Sequence, residues 1–178
     1  MKVLISLILC LSVFSACEKN DINFNSDFEK SEKAWLSFKN TSNNSYQYTV
    51  VGGSWVGSGW ETKLTVTDGM VTERYYKYTP APDSKQPIIE WTENENELNT
   101  HTDPAAAETI TLDKVYEKAQ LDWLVKRDDT ETYFEVDTEG LISTAGYVPN
   151  GCADDCFVGI SIRKIEMIAI LGVNAYCR

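Results

Sequence analysis

The chain has 178 residues and a formal net charge of −11. An acidic surface repels both phosphate backbones and anionic headgroups, which excludes nucleic-acid partners and polybasic binding to lipid. The length suits one domain of ordinary size, and five tryptophans with nine tyrosines favour β-structure.

The N-terminus reads as an export signal over residues 1–16. Lys2 supplies the basic region, Val3 to Phe14 the apolar region, and Ser15-Ala16 the small residues before a cut. The apolar run is shorter than the roughly 20 residues that span a bilayer. Its ending, Phe14-Ser15-Ala16-Cys17, resembles the lipobox of bacterial lipoproteins, with Phe14 in place of the usual aliphatic residue. The resemblance implies lipid attachment at Cys17: the thiol is diacylated, the bond before it is cut, and the new amine is acylated. Acyl chains, at about 0.8 kcal/mol per buried CH₂, then hold the protein to a membrane without a spanning helix. An ordinary secretory signal cut after Ala16 is the alternative.

Removal of the first 16 residues leaves 162 and, with Lys2 gone, a charge of about −12. Residues 17–25 are expected to form a polar tether, and 26–178 a single domain. Lys19 and Asp21 are similar to the charged tethers of Bacteroidota surface lipoproteins, which implies a location in the cell envelope, at the outer membrane.

A first helix is predicted over Ser26 to Phe38, with Ser26 as N-cap and Glu29 at capping-box spacing. Phe28, Ala34, Trp35 and Phe38 share its apolar face. The polar run Asn40 to Ser45 ends it. Tyr46 to Val50 alternates as a strand, and the glycine-rich stretch Gly52 to Gly59 reads as a flexible hairpin connection. Glu61 to Thr67 and Met70 to Tyr78 alternate on either side of Asp68-Gly69, the strongest short-range hairpin signal in the chain.

Pro80, Pro82 and Pro87 break the next connection, and Ile88 to Trp91 reads as a short strand. Residues 92–108 are acidic and polar, and read as a long exposed loop. A second helix is expected from Leu112 to Leu124 with Thr111 as cap. Its buried face carries Leu112, Val115, Tyr116, Ala119 and Trp123. Thr132 to Asp137 and Leu141 to Val148 form a second hairpin, and a last strand starts at Phe157 and extends through Ile162 toward Val173. The expected fold is α+β, an antiparallel sheet with two helices packed on one face.

Trp35, Ser45-Tyr46-Gln47-Tyr48, Val66-Thr67-Asp68-Gly69-Met70-Val71 and Thr111-Leu112-Asp113 together resemble a family of bacterial lipoproteins. That family combines a helical Trp, a Ser-Tyr-x-Tyr strand, a Val-x-Asp-Gly-x-Val hairpin and a Thr-[Ile/Leu]-Asp helix start. The likeness runs from about Ala34 to Ile162. It fails after Phe134, where Glu135 to Leu141 replaces the family's Tyr-Asp-Pro segment. It implies architecture and location, and no activity or cofactor.

Among reactive groups, Cys152 and Cys156 flank Ala153-Asp154-Asp155, and an oxidising compartment favours a disulfide. The pair 152–156 is the preferred connectivity, while Cys177 is an alternative partner for either. A zinc site lacks a second Cys pair or a nearby His, and the spacing is not that of a redox Cys-x-x-Cys. His101, the one histidine, falls in the acidic loop and reads as solvated. Asp103 with Glu93, Glu95 and Glu97 lacks the fixed Gly of an EF-hand. The Gly52 to Gly59 stretch lacks a phosphate loop's Lys. No catalytic residues and no metal ligands are assigned. Trp55, Trp60 and Tyr75 form the candidate binding surface, because Trp55 sits where burial is hard to arrange. The expected partners are the membrane, through Cys17, and an envelope protein or glycan. The expected role is a non-enzymatic binding or structural module, with an inhibitor or accessory subunit presenting residues 52–60 as the alternative.

Overall fold

The computed structural model describes residues 21–168. The signal 1–16, the lipid-attachment residue Cys17, Cys177 and the end of the last predicted strand lie outside the described residues.

Helix α1 spans Asn25–Thr41 and buries Phe28, Ser31, Trp35 and Phe38 at helical spacing. It starts one residue before the expected Ser26 cap. Phe24 is the N-cap residue, in the left-handed region at φ 60°, and no side chain caps the helix. Packing decides this start: the Phe24 ring lies 6.1 Å from that of Phe134, and its carbonyl accepts from the amides of Asp27 and Phe28. The tether reading is also too long. Ile22 is 3% exposed and bridges Val125, so the fold takes in the residues just before the helix.

After the helix, Asn43 and Asn44 adopt positive φ, a conformation Asn tolerates better than most residues. This turn seats the next hairpin, since the Gly69 amide donates to the Asn44 carbonyl and the Asp68 amide to Ser45 Oγ.

Seven strands form one antiparallel sheet in the order β4-β3-β2-β1-β7-β6-β5. The first four are β1 (Tyr46–Gly53), β2 (Gly59–Thr67), β3 (Met70–Thr79) and β4 (Ile89–Asn94); the last three are β5 (Thr130–Val136), β6 (Ile142–Pro149) and β7 (Val158–Met167). Two meanders thus join where β1 pairs with β7, Tyr48 opposite Ile165. Asp68 and Gly69 have φ of 50° and 81°, as the hairpin signal requires.

Helix α2 covers Leu112–Lys118, with Thr111 Oγ1 accepting from the Lys114 amide. The expected helix to Leu124 does not continue as α. Ala119–Trp123 forms a π-turn, closed by the Leu124 amide on the Ala119 carbonyl at 3.0 Å. The wider turn has a packing reason. Trp123 falls on the buried face at α spacing, but Leu124 would rotate off it; with the π-turn, Leu124 is fully buried as well.

Aromatic rings join the elements. Trp35 stacks on Tyr116 at 6.0 Å and meets Tyr46 edge-on at 5.2 Å. Each buried polar tip has a partner: Tyr116 Oη lies 2.8 Å from Ser31 Oγ, Tyr46 Oη accepts from the Leu112 amide, and Trp35 Nε1 donates to Asp113. The architecture is α+β, with a strand-rich antiparallel sheet.

Candidate cleft and its buried anchor

The 92–108 segment differs most from its expected form. Its first three residues continue β4, pairing Thr92 with Tyr75, Glu93 with Arg74 and Asn94 with Glu73. Glu93 is fully buried, and its carboxylate lies 2.8 Å from Arg74 Nη2. It also accepts from Arg74 Nε (2.9 Å), the amides of Asn99 (3.0 Å) and His101 (2.6 Å), and Thr100 Oγ1. Burial pushes this acid up, but the Arg74 guanidinium and the two amides outweigh that and bring it down to about 2. Arg74 in turn donates to the carbonyls of Ala107 and His101 and lies over the Trp91 ring.

The loop is therefore folded back on the sheet. His101 is about half exposed, in keeping with the solvated reading, and in addition stacks flat on Trp91 at 4.4 Å, with Nδ1 3.3 Å from Glu93. A carboxylate so fully occupied has no lone pair left for a substrate, and it acts as an anchor. The acidic residues of the segment have separate partners: Glu97 binds Asn94, and Asp103 accepts from the Ala105 amide. Among the described residues, no group of three or more His, Cys, Asp or Glu is placed to hold a metal.

With the loop anchored, Ala105 to Ala107 become one wall of an open cleft of about 660 Å³. The Ala107 amide donates to Thr62 Oγ1 on β2, and Tyr48 Oη donates to the Ile110 carbonyl. Burial pushes the Tyr48 phenol far up, so it remains a donor. On β1, Gly52 permits the next wall. A Cβ there would come within 2.5 Å of the Trp60 indole, so Trp60 lies flat only over a glycine. The opposite side is Trp123, with Lys118 over its ring at 5.8 Å and bonded to Glu108 at 2.6 Å. Asp155, Phe157 and Ile160 complete the lining.

The candidate surface residues are not brought together. Trp60 lines the cleft. Tyr75 pairs with Lys63 and is in the opposite phase of the sheet, with Lys63 over its ring and its hydroxyl donating to Glu90. Trp55 is at the tip of the β1–β2 hairpin and is 79% exposed. That tip is shorter than expected and is pinned by Ser54 Oγ and Ser58 Oγ at 2.6 Å. Cys152 and Cys156 stand at bonding distance, with Cα atoms 6.3 Å apart, just before the strand that forms the cleft floor.

Tyr48, Trp123 and the alanine triplet were not assigned to a site by sequence reasoning. The one usable signal was Arg74, a cation in the inward phase of an alternating strand. Among known proteins, the chain matches no family model, no curated protein and no solved structure.

Proposed function

We propose that this chain is a lipid-anchored envelope lipoprotein acting as a non-enzymatic binding module, acylated at Cys17 and engaging its partner through the β1–β2 hairpin and the adjoining cleft. The observation that carries the reading is Trp55. An indole 79% exposed at a pinned hairpin tip, whose root residues Gly52, Gly53 and Trp60 line the cleft, has the makings of a contact anchor. Such rings dominate interfaces once they enter a partner's pocket. The cleft's aromatic walls suit an envelope protein or a glycan, the expected partner classes.

Membership of the lipoprotein family belongs to the same proposal, as does a sheet with both helices on one face. Contacts of Trp35 and of the Leu112 amide with Tyr46 support the latter. The second reading, an inhibitor or accessory subunit presenting residues 52–60, is favoured by the same exposed tip.

A photo-crosslinking amino acid placed at Trp55 in the native membrane-bound protein tests the proposal. A discrete adduct, competed by wild-type protein and lost with a crosslinker at Lys33, exposed on α1, is the expected outcome. Labelling no different from that at Lys33 contradicts it.

A further inference from the structure

The free edge of the sheet at β5 has a pattern that selects a partner. β5 pairs only with β6 and ends the strand order. Among the described residues, no backbone group bonds to its outer side. The irregularity near Val136 adds its extra residue, Ser143, to β6, so β5 itself runs regularly from Thr130 to Val136. Such a strand is a ready template for another.

Alternation puts Glu131, Tyr133 and Glu135 on one face of this edge. All three are exposed, and neither carboxylate forms a salt bridge among the described residues. A hydrogen bond to Glu131 pushes the Tyr133 phenol up, consistent with their shared face. Phe157 widens the apolar centre: its ring lies 6.4 Å from Tyr133, over Gly146, where a Cβ would come within 2.4 Å of it.

We propose that β5 accepts an extended basic segment of another protein by strand addition, with Lys or Arg opposite Glu131 and Glu135 and an apolar or aromatic residue opposite Tyr133. Main-chain bonds supply the affinity and the alternate side chains the selection. The same pattern disfavours a second copy. Two β5 strands fully overlapped and antiparallel about Tyr133 set Glu131 against Glu135 twice, and like charges directly opposite are destabilising. A chain at −11 adds long-range attraction for a cation-bearing partner. No β5 residue lines the cleft, although Phe157 borders both.

The test is amide chemical-shift mapping of the full mature chain with the peptide Thr-Thr-Lys-Thr-Tyr-Thr-Lys-Thr-Thr. Controls carry Glu for both Lys, or Pro for the two Thr flanking Tyr. Shifts centred on Thr130–Val136, at least tenfold weaker binding of the Glu and Pro peptides, and weakening with salt are expected. E131K/E135K should bind the Glu peptide in preference to the Lys peptide. Shifts absent from β5 or centred on the cleft would overturn the proposal, as would equal binding of the Pro peptide or self-association through β5. Coverage of the edge by the chain's own ends would appear as absent shifts and counts against it too.

Discussion

Arg74 and Glu93 face each other across β3 and β4 as a buried ion pair, 2.8 Å apart and 5% and 0% exposed. Each also holds the returning loop, Glu93 through the amides of Asn99 and His101, Arg74 through the carbonyls of His101 and Ala107. The cleft wall at Ala105 to Ala107 depends on this pair, although neither residue lines the cleft.

Glu93→Gln leaves a buried guanidinium without its counter-charge. A loss of about 3–5 kcal/mol is expected, because removing one partner strands the other. Urea denaturation measures it. Arg74→Met with Glu93→Leu should recover only part of that loss, since the amides of Asn99 and His101 then lose the acceptor oxygen that Gln retains. Full recovery would mean that the amides contribute nothing.

The pair also sets an acid limit. The Glu93 acid is lowered in the fold from its ordinary value near 4.5 to about 2. Its contribution is therefore complete above about pH 4.5 and fades as the pH falls toward 2. Thermal unfolding followed from pH 6 to 2 should show this loss, with a shallower slope below pH 4.5 in Glu93→Gln.

Gly52→Ala forces the Trp60 indole off β1. Overpacking of this kind costs about 1–3 kcal/mol. Tryptophan emission should shift red as the ring moves into solvent, and a spectrum identical to wild type would contradict the packing. Gly57→Ala, at the hairpin tip, keeps the emission but strains a residue at φ 92°.

Removing the Cys152–Cys156 bridge affects a short loop, for which loop-closure entropy gives about 2 kcal/mol. Cys152→Ser with Cys156→Ser should lower the melting temperature modestly and speed amide exchange from Asn150 to Phe157. Faster exchange in α1 as well would mean that the loop supports the distant core.

Much of the fold was legible in the sequence because local patterns and tertiary demands agreed. Asp68-Gly69 specifies its own turn, Thr111 its own cap, and the Leu112 to Trp123 spacing its own buried face. Where they competed, packing won. Phe24, docked on Phe134, set the start of α1 ahead of Ser26, and the demand to bury Leu124 inserted a π-turn. The cleft was far less legible. Residues 92–108 are polar by composition, and nothing local shows that Glu93 turns inward to meet an arginine 19 positions earlier. Trp60 and Tyr75 were grouped by chemistry, while strand phase sends them to opposite faces.

The central claim, a binding module held to a membrane by its N-terminal cysteine, is tested most directly by mass spectrometry of the N-terminal peptide from the native, membrane-extracted protein. The expected chain begins at Cys17, with a diacylglyceryl group on the thiol and an acyl chain on the amine. An unmodified Cys17 at the N-terminus, or a chain that retains residues 1–16, would contradict it.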